Sequence, residues 1–143
     1  CLSKGLAAPV GSMVVGPQDV IDRAKNFRRM LGGNMRQAGI IAAPGIVALT
    51  KMVDRLQEDH DNAAYLGQGL EKLGFKLSFP VKTNMVFVDL TSVGWGKEEW
   101  VSACAKSGFK TGVRSPERVR LVTHYGIERE NLKRLLEDLA SII

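Results

Sequence analysis

The sequence predicts a chain built of helices and short strands, with its last two thirds forming a small α+β layer. Three observations predict this. Apolar spacing switches repeatedly between the helical period of 3.6 and the strand period of 2. Glycines stand where helical stripes stop, as at Gly74 and Gly108. One segment, residues 35–49, is apolar nearly all round, so a helix there must be buried on most sides.

The elements follow in order. PVGSMVVG, residues 9–16, is a short apolar run between glycines and reads as a buried strand. Pro17 suits a first helical position and Asp19 suits the first turn. Val20, Ile21, Ala24, Phe27 and Leu31 then fall at helical spacing, which predicts a helix over 17–30. Gly32, Gly33 and Asn34 end it, because these residues tolerate positive φ. Met35 to Leu49 is the apolar helix, with Pro44 positioned to kink or break it. So much apolar surface requires a partner, either further chain or another subunit. Residues 51–73 carry an amphipathic stripe of Met52, Val53, Leu56, Ala63, Leu66, Leu70 and Leu73. FKLSF (75–79) and NMVFVDL (84–90) read as strands. Lys97 to Ser107 reads as a helix, 109–114 and 118–124 as strands, and 128–142 as a final helix with Leu132, Leu135, Leu136 and Leu139 inside. The order predicts an antiparallel sheet covered on one face by helices.

Composition narrows the function. The 143 residues suit one domain or part of a larger protein, and 45% hydrophobic with 24% charged is ordinary globular usage. No apolar run is long enough to span a bilayer, so no membrane role is expected. The net charge of +5 comes from scattered basic residues with only 6% aromatics, which argues against a nucleic-acid footprint and suits a small anionic ligand. Cys1 and Cys104 make no metal spacing with the two histidines, and reduced thiols in a cytoplasmic protein account for them. Cys104 is expected in the core. The chain opens at Cys1 without an initiator Met, three residues before its most suggestive lysine, as expected of a piece of a longer protein.

The chemistry is concentrated in LSKGLAAPVGS. A lysine between a small hydroxyl residue and a glycine can be an imine-forming amine or a solvent-facing loop residue. The whole string resembles the cofactor-lysine segment of the low-specificity L-threonine aldolases. FRRMLGGNMRQAGIIAAPGIVAL (27–49), RLQEDHDNA (55–63), TNMVFVDL (83–90) and VRLVTH (119–124) resemble further blocks of that family, in its order and over nearly the whole chain.

The resemblance implies an α/β fold, the C-terminal part of the pyridoxal 5'-phosphate (PLP)-dependent, aspartate-aminotransferase-like architecture. Residues 1–48 would end the large PLP-binding domain, and 49–143 would form the small C-terminal α+β domain. It implies retro-aldol cleavage of L-threonine or L-allo-threonine, a β-hydroxy amino acid, to glycine and acetaldehyde. Lys4 would hold the cofactor, and the PLP ring would be the electron sink. Arg120 would clamp the substrate carboxylate through its planar fork, with Arg114 and Arg118 as close alternatives. Arg36 would lie near the cofactor phosphate, at a helix start, or else pin its turn. Arg29, where some relatives carry Lys, would take a phosphate or interface role, and Ser3 would help the phosphate or form a turn.

His60 is expected at the surface, His124 in a structural role, and Trp95 and Trp100 in packing. No metal site is expected. The family's ring-contacting residues lie upstream of the lysine, so the isolated chain is expected to be inactive and the base to lie elsewhere or to be a water. A homo-oligomer, dimer or tetramer, is implied. Two other readings stand beside this one: a β-eliminating PLP lyase of the same fold, and a non-catalytic basic interaction domain built on Arg28, Arg29 and Arg36.

Overall fold

A computed structural model describes residues 1–113 and 115–143. The chain divides into two compact units, Cys1–Asp54 and Arg55–Ile143. The sequence reading puts the boundary at 48/49, whereas the second helix runs on through Lys51.

The first unit contains a loop and two helices, α1 (Gln18–Met30) and α2 (Gly39–Lys51). Residues 9–16 are not a strand: among the described residues of this unit no second strand offers a ladder, and a lone strand leaves its backbone groups unpaired. Val14 and Val15 lie exposed instead. Pro17 caps α1, its carbonyl accepting the first bond from the Ile21 N–H at 3.1 Å. At the other end the Gly32 N–H donates to the Arg29 carbonyl and the Gly33 N–H to the Arg28 carbonyl. This is a Schellman ending, and the φ of +77° at Gly32 is what it requires. Of the apolar stripe, Ile21 and Ala24 are half-buried, while Val20, Phe27 and Leu31 are exposed.

Helix α2 starts at Gly39 rather than Met35, after a turn in which Gln37 has φ +50°. Pro44 therefore falls early in the helix, and α2 continues through it. Only the Ile40 carbonyl loses its acceptor role there. Ile40, Ile46, Val47 and Leu49 are exposed.

The second unit runs α3 (Leu56–Lys72), β1 (Lys76–Leu77), β2 (Met85–Asp89), a 3-10 turn (Leu90–Val93), α4 (Lys97–Lys106), β3 (Arg118–Val122) and α5 (Arg129–Ala140). Helix α3 is shorter than the stripe suggested, because residues 52–55 form turns. It ends on a second Schellman motif, with Gly74 at φ +94°, the Gly74 N–H on the Glu71 carbonyl and the Phe75 N–H on the Leu70 carbonyl. Helix α4 ends the same way at Gly108.

The sheet is antiparallel in the order β1-β2-β3. Only Lys76 and Leu77 of FKLSF join it. The strand expected at 109–114 reduces to a single bridge between Val113 and Val119, and Arg114 lies outside the described residues. Alternation sorts the two faces. Val86, Val88 and Val119 face inward with Leu66, Leu70, Phe75, Trp100, Leu132, Leu135 and Leu139. Phe75 stands edge-on to both Trp95 and Trp100, at 5.6 and 5.7 Å between ring centres, and the Trp100 indole N–H donates to Thr111 at 3.0 Å. Met85, Arg118, Arg120 and Val122 are exposed on the outer face. Among the described residues no helix is long and apolar enough to cross a membrane, and no His/Cys/Asp/Glu group could hold a metal ion.

Candidate active site

Lys4 sits on a pinned loop. The Leu2 N–H donates to the Gly11 carbonyl and the Ala8 N–H to the Leu2 carbonyl, both at 3.0 Å, closing the loop at its base. The Ala7 N–H donates to the Lys4 carbonyl at 2.8 Å, closing a tight turn at its tip. Ala7 takes φ +57°, a conformation that costs a non-glycine residue about 1 kcal/mol. The Leu2 side chain anchors the loop on α2: its Cδ1 lies 3.2 Å from where a Cβ on Gly45 would stand. Gly45 is buried, and any side chain there would press on the loop two residues from the lysine. Ser3 is exposed beside Lys4, with its hydroxyl 3.6 Å from the Cys1 thiol.

Arg29 and Arg36 flank the turn that joins α1 to α2. Arg29 lies in the last turn of α1, and Arg36 in the turn ahead of α2. Both are exposed and neither is in an ion pair among the described residues. Lys4, Ser3, Arg29 and Arg36 thus belong to one unit, while Arg120 belongs to the other, in the middle of β3 opposite Phe87.

On the outer sheet face Arg120 and its neighbour Arg118 stand opposite different residues, Phe87 and Asp89. Arg118 pairs in register with Asp89, whose carboxyl is held below the usual range. The Thr91 hydroxyl, donating to it at 2.7 Å, is the main cause, with the charges of Arg118 and Lys76 adding to it. Among the described residues no carboxylate pairs with Arg120. His124 is exposed, its Nδ1 donating to the Tyr125 carbonyl at 2.8 Å. His60 is half-buried rather than fully at the surface.

Two features escaped the sequence reading. One is Gly45, hidden within AAPGIVAL. The other is a polar cluster at the start of α3. Asp59 is 1% exposed and ion-paired with Arg55, and the Asp59 carbonyl accepts from the Thr123 hydroxyl at 2.6 Å. The signal was present: Asp59, Ala63, Leu66 and Leu70 are spaced as one helix face, so a carboxylate occupies a core position.

The donor chemistry fits PLP in part. A primary amine on a stiff loop suits covalent attachment to an aldehyde, and a hydroxyl with two guanidinium groups in the same unit suits a phosphate. Lys4 is exposed, however, so these residues do not by themselves enclose a cofactor.

Comparison with known proteins places the chain. Among solved structures it is similar to a threonine aldolase from Leishmania major, at TM-score 0.64 and 21% identity over 83% of this chain and 35% of that one. It is likewise similar to aspartate aminotransferase from Thermus thermophilus, at TM-score 0.58 and 18% identity over 90% of this chain and 35% of that one. The fold is therefore that of part of the aspartate-aminotransferase-like α/β architecture. The family model described as beta-eliminating lyase matches residues 1–92, and the chain belongs to that family. It is 46% identical over 136 residues to the low specificity L-threonine aldolase of Escherichia coli K12, covering 92% of this chain and 38% of that protein. The chain thus spans about two fifths of the length of the curated relatives it matches.

Proposed function

We propose that this chain is the C-terminal part of a PLP-dependent carbon–carbon lyase that cleaves L-threonine or L-allo-threonine to glycine and acetaldehyde. The observation that carries the reading is the 46% identity to a low specificity L-threonine aldolase over 92% of this chain. In this reading Cys1–Asp54 ends the large domain and Arg55–Ile143 is the small one.

Bound PLP supplies a sink for the electron pair released at the substrate Cα. The Lys4 amine would hold the cofactor through its aldehyde carbon. Its loop, closed at base and tip, keeps that amine in one place. Arg36, Arg29 and Ser3 offer a cationic and hydroxyl set for the phosphate. Arg120 forks onto the substrate carboxylate and so orients the Cα–Cβ bond. Its freedom from Asp89, which faces Arg118 instead, supports this choice. The base for the β-hydroxyl proton lies in the rest of the protein or is a bound water.

The whole protein would be a cytoplasmic homo-oligomer, dimer or tetramer, which the exposed apolar side chains of α1 and α2 support. A second reading, β-elimination, rests on the description of the family that the chain matches.

The test is a steady-state assay of the full-length protein containing this chain, with free acetaldehyde and free α-keto acid measured separately. Threonine should give acetaldehyde and glycine, with Lys4→Ala below detection. An α-keto acid with ammonia from a substrate bearing a β-leaving group, and no acetaldehyde from threonine, would select β-elimination instead.

A further inference from the structure

Strand β3 carries Arg120 at the edge of the sheet. Among the described residues it is paired along its length only with β2, apart from the single bridge at Val113. A slip of one residue in a strand turns every side chain to the opposite face, and the buried Val119 on the inner face of β3 already opposes one. Such a slip would move Arg120 from the outer face into the position of Val119, inside the core.

The end of the strand carries a device against this. Thr123, the next residue after β3, is buried, and its backbone N–H donates to the Asn84 carbonyl at 3.0 Å. The Asn84 side-chain amide donates back to the Thr123 carbonyl at 2.8 Å, standing in for the ladder beyond Met85. The Thr123 hydroxyl reaches the other way, donating to the Asp59 carbonyl on α3 at 2.6 Å. The turn of α3 that accepts this bond is itself fixed, because the buried Asp59 carboxylate is ion-paired with Arg55. Arg55 in turn lies 5.1 Å from the centre of the Tyr125 ring, two residues past Thr123.

This cluster is costly to keep. Asp59 Oδ2 and Arg55 Nε are buried without hydrogen-bond partners, and an apolar pair of similar size would carry no such penalty.

We propose that Thr123 is a positioning residue for Arg120: its hydroxyl, clamped between α3 and the start of β2, sets the register and height of the strand that presents the arginine to the substrate carboxylate. The proposal rests on the reading of Arg120 as that clamp. A guanidinium must sit within a fraction of an ångström of its place to fork onto a carboxylate.

The experiment uses the full-length holoenzyme and compares Thr123→Val, Thr123→Ser, Asn84→Ala and Arg120→Lys by steady-state threonine cleavage and thermal unfolding. Thr123→Val should raise KM about tenfold with kcat within about twofold of wild type, since the group displaced binds substrate rather than reacting with it. Thr123→Ser, which keeps the hydroxyl, should restore the wild-type KM. Asn84→Ala removes the side-chain amide bond to the Thr123 carbonyl from a half-buried position, keeps the backbone bond, and should raise KM in the same sense by a smaller factor, even if Thr123→Val does not fold. Lowered thermal stability with KM unchanged in both Thr123→Val and Asn84→Ala would overturn the proposal, as would a serine variant no better than the valine one. Arg120→Lys separates the two layers of the argument. If it leaves KM unchanged, the carboxylate-clamp reading fails and this proposal fails with it. If it raises KM while the Thr123 and Asn84 variants do not, only the positioning role is lost.

Discussion

The two units of the chain solve the folding problem differently. Arg55–Ile143 closes a core around Phe75, Trp100 and the inner faces of β2 and β3, with helices α3, α4 and α5 over one side of the sheet. In Cys1–Asp54 the buried positions are Ala8, Gly45 and Ala48, while Phe27, Met30, Leu31, Ile40 and Ile46 face solvent. Yet the second kind of unit carries Lys4. In the proposed reading the cofactor lysine thus sits in the unit with few buried positions, whereas the unit holding Arg120 closes a core of its own. The difference predicts that the second unit folds by itself and that the first does not.

The sharpest way to break the comparison is to cut it. Residues 55–143 expressed alone should unfold cooperatively and show dispersed amide NMR signals, and residues 1–54 should show neither. A folded 1–54 segment would contradict the account of its exposed side chains.

Single substitutions should follow the same divide. Trp100→Ala, which empties a fully buried site and leaves the Thr111 hydroxyl without the indole N–H, should cost about 3–5 kcal/mol by chemical denaturation. The two cysteines sample both regions. Burial pushes the Cys104 thiol from its ordinary value near 9.0 up to about 11, against a smaller opposing effect from Thr111. Below pH 9 the thiol is protonated in the folded and unfolded chain alike, and the stability it favours is fully present. Between about 9 and about 11 the unfolded chain loses the proton first, so stability should fall with rising pH, by on the order of 2 kcal/mol across that window. Cys104→Ala should flatten this slope. Cys1, exposed, should react with a thiol reagent at once, and Cys104 only on unfolding. The smallest effect belongs to Met30→Ala at the exposed end of α1, which should shift the stability of this chain by less than about 0.5 kcal/mol.

What could be read from the sequence follows the same physics. Helices α1, α4 and α5 lie within two residues of their expected ends, because Pro17, Gly32 and Gly108 punctuate them locally. The strands at 9–16 and 109–114 failed because an apolar run becomes a strand only when a partner pairs with it, and pairing is not local information. Residues 51–55 failed differently: Met52 and Val53 match the helical stripe of α3, yet Lys51 closes α2 and the chain turns before Leu56. At the site, Lys4, Arg36 and Arg120 stood out through the blocks that resemble the family. Gly45 and Thr123 did not, since one acts by lacking a side chain and the other by hydrogen bonds to residues 39 and 64 positions away.

The central claim is that Lys4 holds the cofactor. The full-length protein containing this chain, incubated with PLP, reduced with borohydride and digested, should carry the phosphopyridoxyl group on Lys4 by mass spectrometry. The modification should saturate at low PLP and vanish in Lys4→Ala. Modification spread evenly over the surface lysines, unchanged in that variant, would contradict the claim.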